Sequence, residues 1–461
     1  MTHQRQAHGK PAPNPKPEQN NAPPGLAARL LAHRLIGGVL IDRQPLEIVL
    51  AKEFARPDAA ALEPRDRAFA RSLASTALRR QGQLDLVLGT FVTRPLPQDA
   101  ERARICLLAG AAQLLFLETP PHAAVGLAVD AVRRTRNGAR YAGMANAVLR
   151  RVAAEGRAIL ATCDAASLNV PAWLLERWRD TYGAETAQRI AEASLREAPL
   201  DITLKPDLDR NAWAEKLGGT LLPTGSIRRL ADMRVEDLAG YADGAWWVQD
   251  AAASLVARVA GDVRARAVAD LCAAPGGKTA QLVAAGGQVT AVDVSAKRLE
   301  RLTENLKRLK LSADLVTADA ATWRPDKTFD VVVVDAPCTA TGTIRRHPDI
   351  LRLKGPDDIA RLAAQQAALL ENAASLVGPG GTLVYSTCSL EPEEGPNQIA
   401  TFLATHPQFR RDAVAPAQID GEAGLITPDG DVRTLPCHMK MTSPDLSGMD
   451  GFFIARLRRH T

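Results

Sequence analysis

Two cysteines, Cys338 and Cys388, stand where nucleophilic chemistry would be expected. Each closely follows a predicted β-strand, FDVVVVDA for the first and GTLVYST for the second. A thiolate is a strong nucleophile, and nearby positive charge favours its formation. A free cysteine is more often a small buried hydrophobe, which is the interpretation for the remaining four, Cys106, Cys163, Cys272 and Cys437. The strand-end positions instead predict a covalent step for one of the two thiols, with the other near enough to assist.

A glycine-rich turn earlier in the chain predicts a cofactor site. It joins a predicted strand to a helix, and its residues are Cys272, Ala273, Ala274, Pro275, Gly276, Gly277 and Lys278. Glycine lets a ligand approach the backbone closely. A Walker A loop would need glycine where Cys272 stands, and the turn lacks the GxGxxG fingerprint, so the sequence argues against nucleoside triphosphates and dinucleotides.

Acidic residues follow the next predicted strands. Asp293 ends the second strand, Asp319 the third and Asp335 the fourth. A carboxylate at the end of the second strand can accept hydrogen bonds from both hydroxyls of a ribose, and Asp319 is placed to accept one from an adenine amino group. With the glycine-rich turn, these acids predict an adenosine-bearing cofactor that needs no pyrophosphate. S-adenosylmethionine fits this description best.

A thiol nucleophile and a methyl donor together suit methylation at carbon 5 of cytosine, which is a poor nucleophile by itself. A thiolate that adds to carbon 6 makes carbon 5 enamine-like, so that it can take a methyl group. Loss of the hydrogen at carbon 5 and elimination of the thiol complete the reaction. We expect Lys278 and the cofactor sulfonium to favour the thiolate by their positive charge. A stacked duplex base is out of reach, so the target should be unpaired or flipped.

The elements that must position these groups form a repeated strand–helix pattern over residues 249–461. The predicted strands are RAVADLC, GQVTAVDV, SADLVTAD, FDVVVVDA and GTLVYSTC, with helices such as AKRLERLTENLKRLK between some of them. Val-rich strands with helical crossovers predict a parallel sheet covered on both faces, in a doubly wound, Rossmann-like α/β domain. Such a sheet binds its ligand at the carboxyl ends of its strands, where the candidate residues lie.

Three further segments precede this domain. Residues 1–25 are rich in Pro, Asn, Gln and charged residues, which predicts a disordered tail. Residues 26–160 carry apolar positions at helical spacing, which predicts an all-α domain. The many arginines of that domain indicate either solvated helix faces or an RNA-contacting face. Residues 165–248 combine helical segments with the alternating run LDITLK, which predicts a small α+β unit.

Composition restricts the function classes without naming one. The 461 residues carry a formal net charge of +5, which permits a nucleic acid partner without demonstrating one. The six cysteines include no CxxC pair, so the sequence predicts neither a disulfide scaffold nor a metal site. There is no transmembrane run and no apolar signal core, so we expect a cytoplasmic protein without a membrane partner.

Together these motifs resemble the RNA 5-methylcytosine methyltransferase family, which includes bacterial small-subunit ribosomal RNA enzymes and the eukaryotic Nop/Sun proteins. The resemblance rests on LCAAPGGKT, AVDVSAKRLERL, VVVVDAPCTATGTIRRHPDI, GGTLVYSTCSLEPEE and DGFFIARL. The helical domain is similar to the NusB-type RNA-binding fold, and the α+β unit to the family's RNA-recognition-like subdomain, which indicates the bacterial methyltransferase B branch. The resemblance implies S-adenosylmethionine as cofactor. It implies as substrate one cytidine of 16S rRNA, free or in an early assembly intermediate, and we expect a monomeric enzyme.

The resemblance also implies the roles of individual residues. Cys388, in Thr-Cys-Ser, would be the nucleophile, and Cys338, in Asp-Ala-Pro-Cys, would assist product release. Asp335 would lie between the cofactor and the base, and Lys278 would help to hold the flipped base. The cofactor would be bound by residues 272–278 together with Asp293, Asp319 and Asp335.

A basic loop after Cys338 would lie on the RNA side or would simply be solvated; its residues are Arg345, Arg346 and His347. The chain departs from the family pattern at one point. The family usually continues with Asn directly after the pair Glu393-Glu394, whereas Gly395-Pro396 intervenes here before Asn397.

Two other functions compete with this interpretation. A DNA cytosine methyltransferase would use Cys338, the cysteine after proline on the fourth strand, as its nucleophile; the additional Thr-Cys-Ser motif argues against it. A non-catalytic ribosome assembly or antitermination factor would bind RNA through the helical domain alone. The intact cofactor residues and the presence of both cysteines argue against that function.

Overall fold

The structure is a computed structural model that describes residues 23–419 and 422–461. The predicted disordered tail lies outside the described residues, apart from residues 23–25. Residues 26–194 contain helices and, in the part of the chain described, no strand. The helices are α1 (Leu26–Leu40), α2 (Leu46–Phe54), α3 (Pro57–Ala60), α4 (Pro64–Arg79), α5 (Gln81–Phe91), α6 (Glu101–Phe116), α7 (Pro121–Arg134), α8 (Ala142–Ala161), α9 (Ala165–Asn169), α10 (Ala172–Tyr182) and α11 (Ala184–Ser194).

Helix α6 lies at the centre of this helical layer because its residues from Ile105 onward are apolar, with Gln113 as the exception. Residues 105–115 of α6 are buried on every side, as expected for a helix without a polar face. A Cβ at Gly110 would come within 2.9 Å of Leu149 and 3.1 Å of Ala128. The missing side chain therefore lets α6 pack closely against α7 and α8.

A small antiparallel sheet follows the helices, with strand order β2-β3-β1-β4. Its elements are β1 (Leu200–Leu204), α12 (Arg210–Lys216), β2 (Thr220–Leu221), β3 (Ile227–Arg229) and β4 (Trp246–Val248). Asp201 of β1 stands opposite Arg228 of β3, and their fully buried side chains form a two-bonded ion pair at 2.7 Å. This pair fixes the register of the small sheet.

The larger sheet has eight strands, with the order β10-β12-β9-β8-β5-β6-β7 and β11 paired to β12. The elements that build and cover it are α13 (Ala251–Val259), β5 (Ala267–Leu271), α14 (Gly277–Ala284), β6 (Gln288–Asp293), α15 (Ala296–Leu309), β7 (Asp314–Thr317), β8 (Phe329–Asp335), α16 (Ile350–Leu353), α17 (Pro356–Leu376), β9 (Val377–Thr387), α18 (Pro396–Thr405), β10 (Phe409–Arg411), β11 (Val432–Arg433) and β12 (Phe453–Arg459).

The five predicted strands of this domain are confirmed as β5 to β9, and they pair in parallel. The predicted parallel arrangement holds for these five strands, whereas β12, which the sequence did not predict, pairs antiparallel to β9. The segment before β12 returns to the carboxyl end of β9, so Phe453 starts the strand opposite Thr387. This return brings residues just before Phe453 to the ligand-binding edge of the sheet.

Local sequence explains the elements that flank the binding edge. Residues 331–334 of β8 are four valines with no exposed surface, as expected for a strand covered on both faces. In α15 the buried residues are Leu299, Leu302, Leu306 and Leu309, at helical spacing, and the Ser295 side chain caps its first turn. Because β5 has β8 on one side and β6 on the other, the connections diverge at its carboxyl end, which is where such folds bind ligands.

The helical layer docks on the loop that follows Cys338. The Leu46 amide donates to Asp349 Oδ2 at 3.0 Å, and Arg79 Nη2 donates to the Arg345 carbonyl at 2.9 Å. Helix α10 contacts the segment after Cys388, where Arg177 forms an ion pair with Glu391 at 2.7 Å. The helical layer thus contacts both cysteine-bearing loops.

Candidate active site

A cavity of about 400 Å³ opens at the carboxyl ends of β5 and β8. Its floor is formed by residues 273–278 of the glycine-rich turn, with Asp335 and Cys388 beside it. Phe452, from the segment that returns before β12, and Trp247 of the small sheet complete the walls. The predicted turn, one predicted acid and one predicted thiol therefore face a single cavity, lined by parts of both sheets.

The two candidate thiols lie side by side. Cys338 Sγ and Cys388 Sγ are 3.4 Å apart, because β8 and β9 are neighbouring parallel strands that end at the same edge. The hydrogen bond with Cys338 raises the pKa of the Cys388 thiol well above its ordinary value, and burial raises it further. Lys278 lowers that pKa, but by less. Lys278 therefore favours the Cys388 thiolate, in the expected direction, but in the protein without its substrates the effects of Cys338 and of burial are larger.

Asp335 explains why Lys278 has so little effect on the thiol. Lys278 Nζ lies 2.7 Å from Asp335 Oδ2, and Ser386 Oγ donates to Asp335 Oδ1 at 3.1 Å. Burial alone would lower the pKa of the Lys278 ammonium, but the charge and hydrogen bond of Asp335 outweigh burial and raise it. The ammonium and the carboxylate form a paired unit at the cavity wall, so little net positive charge reaches Cys388.

Asp293 lies behind the glycine-rich turn rather than in the cavity wall. Its side chain is 1% exposed, and it accepts hydrogen bonds from the Ala274 amide at 3.2 Å and the Ser295 amide at 3.0 Å. Arg298 pairs with the same carboxylate at 3.3 Å. Asp293 thus ties the end of β6 to the turn, and its predicted contact with a ribose stays a prediction.

Two further predicted cofactor residues, Asp319 and Cys272, do not line the cavity. Asp319 is exposed and accepts a hydrogen bond from the Ala321 amide at 2.9 Å; its contact with adenine stays a prediction. Cys272 is half-buried with a left-handed φ of 62°, and burial raises the pKa of its thiol to about 12. A thiol with so high a pKa is unreactive, which agrees with the interpretation of Cys272 as a small buried side chain.

The charges around the turn suit a cationic adenosine cofactor. Asp270, Asp293 and Asp335 stand at three adjacent strand ends, and Lys278 and Arg298 are the cations paired with them. One oxygen of Asp270 is buried and has no hydrogen-bond partner among the described residues. A bound cation would lower the raised pKa of the buried Asp270 carboxyl and so favour a third negative charge beside these two ion pairs. The cavity volume lies in the range of small-molecule sites. The residues present therefore fit S-adenosylmethionine, whose sulfonium is a cation.

The basic loop predicted to face RNA is largely enclosed. Arg345 is 1% exposed and donates to the Ser447 carbonyl at 2.7 Å, so its predicted RNA contact is corrected: it is a structural residue beneath α4. Arg346 lines the cavity, but it pairs with Asp250 at 2.5 Å and Asp450 at 3.0 Å. His347 is partly exposed, and its contact with RNA stays a prediction.

Sequence reasoning missed the two carboxylates that hold Arg346. Asp250 caps α13 through the Ala252 amide, and Asp450 lies three residues before β12. Burial raises the pKa of Asp450 to about 7, although Arg346 opposes the shift. The available signal was the segment DGFFIARL, which begins with Asp450 and was read only as a matching motif.

Comparison with known proteins places this geometry in a family. Residues 261–458 match the model described as 16S rRNA methyltransferase RsmB/F, and residues 26–154 match the NusB family. Ribosomal RNA small subunit methyltransferase B of Cronobacter sakazakii is 34% identical over 448 residues, covering 93% of this chain and 98% of that protein. The chain belongs to the RsmB/F methyltransferase family.

Two further relatives agree with this assignment. The methyltransferase B of Xanthomonas campestris is 36% identical, covering 94% of this chain and 97% of that protein. The crystal structure of PH0851 has a TM-score of 0.72 at 23% identity, over 96% of this chain and 100% of that chain, which shows the shared fold. The sequence predictions of fold class, of an rRNA (cytosine-C5) methyltransferase and of S-adenosylmethionine as cofactor are confirmed.

No helix within the described residues is long and apolar enough to cross a membrane. No group of three or more His, Cys, Asp or Glu side chains in residues 23–419 and 422–461 could hold a metal ion.

Proposed function

We propose that this RsmB/F enzyme methylates carbon 5 of one specific cytidine in 16S rRNA, with Cys388 as the nucleophile and Cys338 assisting release. The observation that carries the proposal is the 3.4 Å separation of the two sulfur atoms beside a cavity lined by Cys388, Lys278 and Asp335. A single thiol would suffice for addition to the base. A second sulfur in contact with the first suits a reaction that must also break the bond to the enzyme.

In the proposed reaction, Cys388 and Cys338 act in different steps. The Cys388 thiolate adds to carbon 6 of the base, and the electron pair displaced from the ring makes carbon 5 nucleophilic. S-adenosylmethionine, when bound, supplies the methyl group. Carbon 5 then loses its proton, the sulfur–carbon bond breaks and the thiolate leaves, with Cys338 close enough to assist that release. Because Cys388 has a raised pKa in the free protein, its proton must leave before the addition.

Lys278 and Asp335 orient the base in this proposal. Lys278 pairs with Asp335, and Lys278 Nζ lies over the ring of Phe452, 5.2 Å from its centroid. The pair offers a hydrogen-bond donor and an acceptor side by side, which suits the amide-like edge of a cytosine. The base must leave any stack to reach them, so the target is unpaired or flipped.

The proposal also assigns the rest of the chain. Residues 26–160 form a NusB-like RNA-binding domain, residues 165–248 an RNA-recognition-like subdomain, and residues 249–461 the methyltransferase domain. The first two select the RNA by shape and charge. The enzyme acts as a cytoplasmic monomer on 16S rRNA that is free or in an early assembly intermediate.

Two cysteine variants and one cellular measurement test the proposal. Cys388→Ala should be inactive and form no covalent RNA adduct, whereas Cys338→Ala should accumulate a covalent protein–RNA species. Bisulfite sequencing of ribosomal RNA from cells with and without the gene should show the loss of a single 5-methylcytosine in the small-subunit RNA. Exchanged cysteine phenotypes would instead support the mechanism of the DNA cytosine methyltransferases, and persistence of every 5-methylcytosine would exclude 16S rRNA as the target.

A further inference from the structure

We propose that Glu394 is a positioning residue that sets the separation between the sulfur atoms of Cys338 and Cys388. The inference rests on the proposed function, because it concerns the two thiols that the reaction uses. Glu394 lies in the short turn between β9 and α18, and it has no exposed surface. A buried carboxylate is costly unless several donors satisfy it, and the donors around Glu394 come from both cysteine loops.

The first set of contacts comes from the residue after Cys338. The backbone amide of Thr339 donates to Glu394 Oε1 at 3.0 Å, and the Thr339 hydroxyl donates to Oε2. Two donors from one residue fix both the position and the orientation of the backbone at the end of the Cys338 loop.

The second set of contacts comes from the residue after Cys388. Ser389 Oγ donates to Glu394 Oε2 at 2.5 Å, the same oxygen that receives the Thr339 hydroxyl, and the two hydroxyl oxygens are 3.1 Å apart. One carboxylate oxygen therefore joins the residue that follows each thiol. Since each cysteine is bonded directly to one of these residues, the bridge holds the two sulfur atoms at 3.4 Å.

The surrounding protein holds the bridge in place. Gln366 Nε2 of α17 donates to Glu394 Oε1 at 3.0 Å. The Tyr385 hydroxyl donates to the Glu394 carbonyl at 2.9 Å, and the Thr387 hydroxyl donates to the same carbonyl at 3.0 Å. Both the side chain and the backbone of Glu394 are thus anchored to β9 and α17, so the carboxylate can act as a fixed reference for the two cysteine loops.

The nature of the donors makes the proposal testable by two different substitutions. Hydroxyl groups can donate or accept, so in Glu394→Gln the amide oxygen can keep the Thr339 amide and Gln366 while its NH₂ group donates to both hydroxyls. Glu394→Ala removes the bridge completely. Geometry alone thus predicts that glutamine preserves the sulfur–sulfur contact and that alanine does not.

The first experiment measures the sulfur–sulfur contact without RNA or cofactor. Diamide takes up two electrons and two protons as it joins two thiols in a disulfide, and the rate is followed by mass spectrometry of the linked Cys338–Cys388 peptides. Because a displacement of about 1 Å can slow a proximity-dependent reaction by up to a hundredfold, we expect Glu394→Ala to cross-link on the order of tenfold more slowly. Glu394→Gln should stay within about threefold of the unmodified protein, since it keeps the bridge.

The matched control is Glu393→Ala, which removes the neighbouring carboxylate of the same turn. Glu393 pairs with Arg177 at 2.6 Å and is 41% exposed, so its loss should leave the cross-linking rate unchanged. If Glu394→Ala does not fold, Ser389→Ala, which removes the bridge on one side only, replaces it and should also slow the reaction. A folded Glu394→Ala or Ser389→Ala protein that cross-links as fast as the control would overturn the proposal. Equal slowing of cross-linking in Glu394→Gln and Glu394→Ala would overturn it as well.

The second experiment measures catalysis on RNA that the unmodified enzyme methylates. Glu394→Ala should lower kcat by about tenfold, as expected for a misplaced reacting group, with an unchanged KM for S-adenosylmethionine, and should accumulate the covalent protein–RNA species. A higher KM with an unchanged kcat would contradict a positioning role. If the unmodified protein methylates no RNA, the proposed function fails, while the cross-linking experiment still decides whether Glu394 sets the sulfur–sulfur separation.

Discussion

Asp270, at the carboxyl end of β5, should make the stability of this protein depend on pH. Its side chain is fully buried beneath the glycine-rich turn. Oδ2 accepts a hydrogen bond from Thr279 Oγ1 at 2.6 Å, whereas Oδ1 has no partner among the described residues. Burial raises the pKa of this carboxyl from 3.8 to about 7; Thr279 and Lys278 oppose the shift, and the charges of Asp335 and Asp293 add to it.

The sign of the effect follows from the raised pKa. The folded protein holds the Asp270 proton more tightly than the unfolded chain, so the stabilisation is complete below the unfolded value of 3.8 and is lost as the pH rises through about 7. Linkage with these two pKa values gives a decrease of about 2.7 kcal/mol in the free energy of unfolding between about pH 5 and about pH 9. Asp270→Asn keeps the shape of the side chain and removes the titration.

The assay compares urea denaturation of the two proteins across this range, so that other titrating groups cancel in the difference. Asp270→Asn should become more stable relative to the unmodified protein as the pH rises, by about 2.7 kcal/mol in total. Asp314→Asn, which changes an exposed aspartate of β7, is the matched control and should show a constant difference. A constant difference for Asp270→Asn would refute the reasoning, because it would mean that the carboxyl titrates alike in the folded and unfolded chains.

Three further outcomes follow from substitutions of single charged side chains. Asp335→Asn removes a charge that raises the pKa of Cys388, so the midpoint of iodoacetamide alkylation against pH should move to lower pH; an unchanged or higher midpoint would contradict this. Arg228→Met leaves Asp201 buried without its partner and should lower the free energy of unfolding by about 3–5 kcal/mol; a loss below about 1 kcal/mol in urea denaturation would contradict it. Asp293→Ala removes the carboxylate that accepts a hydrogen bond from the Ala274 amide of the glycine-rich turn. It should weaken S-adenosylmethionine binding on the order of tenfold, and an unchanged Kd in calorimetry would argue against that role.

Most of the fold could be predicted because hydrophobic periodicity reports burial directly. The Val-rich strands β5 to β9 and the Leu-spaced helix α15 needed only local pattern. Strand β12 was not predicted, since nothing local in FFIARLRR distinguishes a parallel neighbour from an antiparallel one. Its direction depends on the path of the chain between β10 and β12, described for residues 412–419 and 422–452, which is a tertiary property. The segment VEDLAGY has apolar residues at helical spacing but contains only a short turn at Val235–Asp237, because Gly240 adopts a left-handed φ of 81° and the chain reverses.

The sequence could predict those residues of the candidate site whose positions depend only on where a strand ends. Cys338, Cys388 and Asp335 come together because β8 and β9 are neighbours. The loop after Cys338 was misjudged for the opposite reason: arginines usually lie at the surface, but Arg345 and Arg346 are enclosed by carbonyls and carboxylates from distant segments. Partners so far away in the sequence leave no local pattern.

The departure from the family pattern at Gly395-Pro396 is explained by the side chains that pack against Gly395. A Cβ at Gly395 would lie 2.9 Å from Arg433 Nη2 and 3.1 Å from the Phe453 ring, so a larger residue would displace Arg433. That arginine donates to the carbonyl of Ser389, the residue directly after Cys388, at 2.7 Å. Pro396 then begins α18, where its missing N–H costs nothing. The departure therefore accommodates a second anchor on the Cys388 loop, at the Ser389 carbonyl, in addition to the hydrogen bond between the Ser389 hydroxyl and Glu394.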